Sequence, residues 1–320
     1  MAKNKLSKQQ QRRIKSKQQR FADDQSSLSG VVIGQLGRRF DVEVDSELTQ
    51  CAQRKHLGPI VCGDKVKIEI NDAKEGVITA IEDRDSLLAR PDSRGKMKAI
   101  AANIDRMFIV CAIKPELNEG LIDRYLVTAE LLDITPVIVL NKIDLVNDSE
   151  LNDIEKRLAI YHQLDYDIIY TSAKSQHGTD QLHKSLQQHT SILVGQSGVG
   201  KSSLLNQLLP DVEAKVGDVS ISSNKGTHTT SASRLYHLPQ GGRLIDSPGV
   251  REFGLWQVQA EQIADGFVEF QQYTNQCRFN DCKHENEPAC AVLKAVEDGD
   301  ISTMRFDSYR RIVASLLDDI

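Results

Sequence analysis

The 320-residue sequence lacks the long apolar segments of a membrane protein. Its longest apolar runs, residues 107–113 and 137–140, are far shorter than the roughly 20 residues that span a bilayer. No apolar core follows the basic N-terminus, as it would in a secretory signal. Six cysteines are too few for a disulfide-rich scaffold. We therefore expect a cytoplasmic protein that does not associate with membranes.

Acidic residues are missing from the first twenty positions, which hold eight lysines and arginines. The whole chain has 40 basic and 45 acidic residues, a net charge of −5. The rest of the chain therefore has 32 basic residues against the same 45 acidic ones, a net charge of −13. Residues 1–27 have almost no apolar side chains to bury, which predicts a disordered basic arm. Such an arm is suited to non-specific, salt-dependent binding of RNA phosphates.

The pattern of apolar and polar residues changes along the rest of the chain and divides it into domains. A chain of 320 residues is expected to form more than one domain. Residues 28–88 show short runs of period-two alternation between turn residues, which indicates a small antiparallel β domain, a barrel. Residues 89–104 are assigned to a linker. Residues 105–256 alternate apolar runs with helical segments, the pattern of a mostly parallel sheet covered by helices. Residues 257–320 are assigned to a metal-binding domain with C-terminal helices.

A glycine-rich segment separates the apolar run 192–194 from a helical run. Residues 195–202, GQSGVGKS, match G-x-x-x-x-G-K-[ST] in the strand-to-helix context that a phosphate-binding loop requires. Lys201 can reach the β- and γ-phosphates as a catalytic residue, and the Ser202 hydroxyl can bind Mg²⁺. The predicted nucleotide contacts here are Gly195, Gln196, Ser197, Gly198, Val199, Gly200, Lys201, Ser202 and Ser203.

Two other segments specify the base. Residues 141–144, NKID, follow a predicted strand and resemble the N-K-x-D motif of Ras-like GTPases. The Asp144 carboxylate can accept hydrogen bonds from N1–H and the 2-amino group of guanine, a donor pair that adenine lacks. Residues 171–174, TSAK, resemble the companion S-A-K motif. The predicted guanine contacts are Asn141, Lys142, Asp144, Ser172, Ala173 and Lys174.

Two segments after the phosphate-binding loop resemble the switches of these enzymes. Residues 246–249, DSPG, resemble D-x-x-G, with Asp246 near Mg²⁺ and the Gly249 N–H near the γ-phosphate. Residues 225–230 lie where switch I belongs. Either Thr229 or Thr230 could supply its Mg²⁺ ligand, and we choose Thr230 by a narrow margin.

Water activation is the incomplete part of this site. Ras-like enzymes often orient the attacking water with a glutamine just after D-x-x-G. This sequence has Val250 there, which cannot hydrogen-bond a water, so we expect slow intrinsic turnover. His228 in the switch I segment is the nearest substitute and our candidate catalytic residue.

The order of the motifs is permuted. In Ras-like chains N-K-x-D and S-A-K follow the phosphate-binding loop, whereas here they precede it. A circularly permuted chain can form the same sheet, because the sheet depends on which strands are neighbours in space. The D-x-x-G segment then leads directly into the C-terminal domain.

Four soft or borderline metal ligands lie within 14 residues near the C-terminus. Cys277, Cys282, His284 and Cys290 form C-x4-C-x-H-x5-C, the Cys₃His set of structural zinc sites. Because four protein ligands leave no position for a catalytic water, we assign one structural zinc ion.

Taken together, the arm, the β domain, the permuted motifs and the Cys/His set resemble the RsgA (YjeQ) family of GTPases over nearly the whole chain. The resemblance implies an N-terminal OB-fold, a circularly permuted Ras-like P-loop GTPase domain and a C-terminal zinc-binding helical domain. It implies hydrolysis of GTP to GDP with Mg²⁺, stimulated by the small ribosomal subunit late in its maturation, with rRNA binding. In this family a switch I histidine is the suspected water-positioning residue, which favours His228. We expect a monomer.

Two other functions stay open at this point. One is an ATP-using P-loop kinase or ATPase, which Asp144 and the S-A-K segment disfavour. The other is an RNA-binding module of barrel and zinc unit whose nucleotide site is mainly a structural switch. The intact Lys201, Ser202 and Asp246 disfavour it.

Overall fold

A computed structural model describes residues 27–71, 75–91, 96–210, 233–247, 258 and 260–318. Within these ranges the chain forms a β-barrel, a hairpin, an α/β domain and a helical C-terminal domain. No helix in the described ranges combines the length and the apolar character needed to cross a bilayer.

The N-terminal part is a closed barrel of five strands. These are β1 (Leu28–Leu36), β2 (Arg39–Val44), β3 (Glu47–Gln53), β4 (Lys65–Ile70) and β5 (Gly76–Ile81). The strand order is β1-β2-β3-β5-β4, and antiparallel pairing of β1 with β4 closes the barrel. Alternate residues of β2, Phe40, Val42 and Val44, are buried, so the period-two pattern of the sequence becomes one core-facing side. The expected OB-fold barrel is confirmed.

A hairpin occupies most of the stretch that the sequence assigns to a linker. It consists of β6 (Leu87–Pro91) and β7 (Met97–Ala102). Leu88 and Ala101 at its base are buried, whereas Arg90 and Lys98 nearer its tip are exposed. The sequence does not predict this hairpin, because alanine and lysine in β7 have low strand propensity.

The α/β domain is built on a six-stranded sheet. Its strands are β8 (Arg106–Ala112), β9 (Thr135–Asn141), β10 (Asp167–Tyr170), β11 (Thr190–Val194), β12 (Arg234–His237) and β13 (Arg243–Asp246). The order is β10-β9-β8-β11-β13-β12, and neighbouring strands are parallel except for β12, which runs antiparallel to β13. Its helices are α1 (Glu119–Leu131), α2 (Asp148–Gln163), α3 (Thr179–Leu186) and α4 (Lys201–Leu208).

Burial explains why this sheet forms from short apolar runs. Residues 137–140 in the middle of β9 are completely buried, as in a strand covered on both faces. Strand β11 lies between β8 and β13, although β8, β9 and β10 all precede it in the chain. The carboxyl ends of β9, β10, β11 and β13 thus meet at one edge despite the permuted order, and the predicted fold is confirmed.

The C-terminal domain packs on α1. It contains 3-10 turns over Ala260–Gly266 and Val268–Phe270, then α5 (Gln271–Thr274), α6 (Ala291–Asp298) and α7 (Thr303–Asp318). Its core includes an aromatic cluster of Phe267, Phe270, Phe306 and Tyr309.

A buried charge cluster joins this domain to helices α1 and α2 of the α/β domain. The Arg305 side chain is completely buried and donates to Glu269 at 2.7 Å and to Asp123 of α1. Tyr161 of α2 donates to the same Asp123 carboxylate at 2.8 Å. The cluster therefore has members from both domains, and removing its one guanidinium would leave two carboxylates buried without their cation.

Candidate functional site: nucleotide pocket and metal centre

The glycine-rich loop lies between β11 and α4, as the sequence predicts. Gly195 and Gly200 both have positive φ, at 137° and 97°. A Cβ on Gly195 would collide with the Val110 carbonyl oxygen, and one on Gly200 would collide with the Asn141 amide. Glycine at both positions therefore lets the loop fold tightly against β8 and β9, with its backbone open to a ligand.

Three predicted phosphate and Mg²⁺ residues come together beside this loop. A cavity of about 30 Å³ is lined by Lys201, Ser202 and Asp246, and also by Ser247. The Lys201 ammonium donates to the Gly195 carbonyl at 2.6 Å and to the Gln196 carbonyl at 2.7 Å. A cation, a hydroxyl and a carboxylate at a helix N-terminus are suited to a phosphate with its divalent cation.

Asn141 and Lys142 tie the loop to the strand beside it. The Asn141 amide, 1% exposed, donates to the Val199 carbonyl at 2.9 Å, and its oxygen accepts from the Ala173 N–H at 3.3 Å. Lys142, at a positive φ of 64°, donates to the carbonyls of Gly198 at 2.6 Å and Lys114 at 2.8 Å. The sequence does not predict that the Lys114 carbonyl accepts a hydrogen bond from Lys142. Lys114 lies far from Lys142 in the chain, in the loop that follows β8.

The predicted guanine contacts meet at the ends of two adjacent parallel strands. Asp144 follows β9 in a 3-10 turn, and Ser172 follows β10. The Ser172 hydroxyl donates to Asp144 Oδ1 at 2.6 Å and accepts from the Ser175 N–H at 3.1 Å. The serine therefore orients the carboxylate that the sequence assigns to guanine. Ala173 is half-buried beside it, and Lys174 is exposed.

Other predicted residues line the outside of the loop or fall outside the described ranges. Gln196, Ser197 and Gly198 are exposed, Ser203 is exposed on α4, and Val199 is buried. The switch residues His228, Thr229, Thr230 and Gly249 lie outside the described residues.

The four predicted metal ligands form one compact group. Their ligand atoms all lie within 4.8 Å of one another. Cys277 Sγ lies 3.8 Å from Cys290 Sγ and 3.7 Å from His284 Nδ1. A zinc–sulfur bond of about 2.3 Å requires a tetrahedral edge of about 3.8 Å, so the group fits a four-coordinate ion.

A glutamate that the sequence analysis does not single out holds the loop carrying His284. Glu287 accepts backbone N–H bonds from Lys283 and Glu285 at 2.8 Å and from Asn286 at 3.1 Å. His284 itself has a positive φ of 57°. Burial acts to raise the pKa of Glu287, but these backbone donors outweigh it and lower the pKa. The one sequence feature that could have pointed to Glu287 is its position between the metal ligands His284 and Cys290.

The metal centre also rests on the aromatic cluster. The Tyr309 hydroxyl donates to the Lys283 carbonyl at 2.8 Å, next to His284. The His284 ring lies 6.2 Å from that of Tyr309 and 6.4 Å from that of Phe270. Helix α7 therefore covers the metal centre, as the C-terminal helical domain of the sequence analysis implies.

Comparison with known proteins agrees with this architecture. The family model for the RsgA GTPase matches residues 81–256. A Haemophilus influenzae protein named small ribosomal subunit biogenesis GTPase RsgA is 48% identical, over 99% of this chain and 96% of that protein. A Chromohalobacter salexigens protein of the same name is 46% identical, over 99% of both chains.

Solved structures show the same arrangement of parts. The crystal structure of YjeQ from Thermotoga maritima is 31% identical, with a TM-score of 0.73, over 91% of this chain and 99% of that one. YloQ, described as a circularly permuted GTPase, is 29% identical with a TM-score of 0.74, over 93% of this chain and 98% of that one. With the motifs in permuted order on this sheet and near-complete coverage of its relatives, the chain belongs to the RsgA GTPase family.

Proposed function

We propose that this protein hydrolyses GTP to GDP and phosphate when it binds the small ribosomal subunit, late in that subunit's maturation. The observation that carries the proposal is the shared strand edge. Asp144 and Ser172 meet there, and Lys201, Ser202 and Asp246 converge beside them. The names of the relatives supply the ribosomal partner.

Magnesium is the ion that this chemistry requires. Ser202 would bind it directly, Asp246 would hold it through water, and Thr230 is the proposed switch I ligand. When bound, Mg²⁺ would supply charge neutralisation at the phosphates, and Lys201 would hold phosphate oxygens from the loop side.

The proposed water-positioning residue is His228. Val250 follows the D-x-x-G segment and has no group that could hold a water. Substitution His228→Ala should abolish most of the hydrolysis stimulated by small subunits while GTP binding stays intact. An unchanged stimulated rate would remove His228 from the mechanism.

Zinc is the proposed ion of the Cys₃His group. Three thiolates and one imidazole are the donors that zinc prefers, and the closed set gives it a structural role. Metal analysis of the purified protein should find one zinc ion per chain.

The proposed partner is rRNA within the subunit, bound by the basic arm, the barrel and the metal domain. With this partner, we propose that the protein is located in the cytoplasm and acts as a monomer. The alternative, an RNA-binding module with a structural nucleotide site, predicts binding without turnover.

One experiment separates these functions. GTP and ATP are offered in competition to the wild-type protein, and phosphate release is measured with and without small subunits. The proposal expects release from GTP alone, raised by the subunits. Equal use of ATP, or subunit binding without any phosphate release, would overturn it.

A further inference from the structure

Two serine hydroxyls meet beside the first residues of the D-x-x-G segment. The Ser233 hydroxyl donates to the Ser247 hydroxyl oxygen at 2.8 Å. Ser247 directly follows Asp246, and both line the cavity of about 30 Å³ beside Lys201 and Ser202. The bond between the serines therefore acts on the residue next to the carboxylate that we assign to Mg²⁺.

The register of two strands brings these serines together. Arg234 at the start of β12 is directly opposite Asp246 at the end of β13, in an antiparallel pair. In such a pair, the residue before one member faces the residue after the other. Ser233 therefore faces Ser247 across the strand ends. Their bond continues the contact between β12 and β13 by one position past the last paired residues.

Backbone bonds cannot carry this strand pairing further along the D-x-x-G segment. Residue 248 is proline, which has no N–H to donate and restricts Ser247 before it to extended conformations. Ser247 is 7% exposed, and a hydroxyl buried to that extent normally has a hydrogen-bond partner. The side chain of Ser233 supplies this partner where the backbone pairing ends.

Ser233 can hold Ser247 because β12 is itself held on both sides. One edge of β12 pairs with β13, and the other pairs with β1 of the barrel through Arg234 and Gly34. At the far end of β12, His237 Nε2 lies 2.8 Å from the Glu43 carboxylate on β2. The barrel and the sheet thus both fix the strand that begins after Ser233.

We propose that Ser233 is a positioning residue for the nucleotide site, which acts through Ser247 to hold the Asp246 carboxylate in place for Mg²⁺. The inference rests on the proposed function and adds a residue behind the carboxylate that this function uses. Neither the guanine contact Asp144 nor the phosphate contact Lys201 depends on the serine pair. Loss of the pair should therefore weaken the part of nucleotide binding that Mg²⁺ provides and leave the rest unchanged.

The test compares the full-length wild-type protein with Ser233→Ala, Ser247→Ala, the double variant and Ser233→Thr, which keeps the hydroxyl. Affinity for a fluorescent, non-hydrolysable GTP analogue is measured with saturating Mg²⁺ and with a chelator, and the ratio of the two affinities is compared. The matched control Ser86→Ala removes another buried serine hydroxyl, which bonds with the Ile104 backbone at 3.0 and 2.7 Å. Hydrolysis of GTP by the wild-type protein with small subunits is measured alongside.

Each single alanine variant of the pair should lower the affinity ratio by about 2- to 10-fold, the effect of losing one hydrogen bond. The double variant should lose no more than either single variant, because both changes remove the same bond. Ser233→Thr should keep the wild-type ratio. Ser86→Ala should lower the melting temperature and keep the ratio, and all variants should bind the analogue equally in chelator.

Three results would overturn the assignment. An unchanged ratio in both alanine variants would show that the pair does not act on Mg²⁺. Losses that add up in the double variant would show that the two serines act independently. An equal loss in Ser86→Ala would reduce the effect to general stability.

The same measurements separate this inference from the proposed function. If the wild-type protein hydrolyses GTP with small subunits, the three results refute the positioning role alone. Wild-type protein that does not bind the GTP analogue would refute the proposed function as well.

Discussion

The proposed recognition of guanine depends, at the scale of single residues, on one oriented carboxylate. Asp144 would be free to rotate in its turn without the Ser172 hydroxyl, which holds it at 2.6 Å. Asn141 in turn joins the S-A-K segment to the phosphate-binding loop through its two amide atoms. These side chains could be predicted from motifs, because each occupies a fixed offset after a strand.

Substitution Asp144→Asn should therefore abolish the preference for guanine. The amide would place a donor against N1–H or the 2-amino group, and GDP affinity should fall by roughly 10⁴. Titration with a fluorescent GDP analogue measures this. The control Asp148→Asn alters an exposed acid in the first turn of α2 and should bind GDP normally. Normal GDP affinity in the Asp144 variant would show that another group selects the base.

We expect Glu287 to act as a positioning residue for the proposed metal centre. Substitution Glu287→Ala would leave three backbone N–H groups without their acceptor, and the loop carrying His284 would loosen. Zinc affinity should fall about 10- to 100-fold in competition with a chelator. Glu285→Ala removes a neighbouring exposed acid and should bind zinc as the wild type does. Equal zinc affinity in both variants would leave Glu287 without this role.

At the scale of helices and strands, the sequence predicts the elements that have a clear local pattern, such as an apolar run or a helix cap. The β8 and β9 runs are buried on both faces and are apolar almost throughout, and α2 begins with a capping box between Asn147 and Glu150. The β6–β7 hairpin lacks such a pattern. The contact of Arg305 with Asp123 joins residues 182 positions apart, so no local rule could show it.

The Arg305 contact gives a prediction for how the domains hold together. Arg305→Met should lower the free energy of unfolding by about 3–5 kcal/mol, because Asp123 and Glu269 would remain buried without their cation. Denaturant unfolding of the full-length protein measures this. The control Arg310→Met, at an exposed position of α7, should change stability by less than about 0.5 kcal/mol. A loss of unfolding free energy as small as the control's would mean that water reaches the two carboxylates once the arginine is removed.

The whole molecule combines a Ras-like sheet with a rearranged chain. Motif order revealed the permutation, since N-K-x-D and S-A-K precede the glycine-rich loop. Motif order could not reveal that the barrel continues the sheet of the α/β domain. Gly34 of β1 pairs with Arg234 of β12, and Glu43 of β2 lies 2.8 Å from His237 of β12. Those contacts depend on how two domains dock, which neither periodicity nor a motif encodes.

Charge distribution makes a prediction at this same scale. Deleting residues 1–20 removes eight positive charges from a chain that is otherwise net negative. Binding to small subunits should weaken and become less salt-dependent, while GDP affinity stays the same, because the nucleotide site uses its own loop and cation. Sedimentation with subunits at several salt concentrations measures the first two quantities. An unchanged salt dependence would show that the arm does not contact RNA.

The central claim is that the small ribosomal subunit activates GTP hydrolysis at this site. The most direct test is the rate of phosphate release from GTP with purified small subunits, with large subunits and with neither. The account predicts slow release from the protein alone, strong stimulation by small subunits and none by large subunits. Stimulation by the large subunit alone, or a fast rate that no subunit changes, would contradict it.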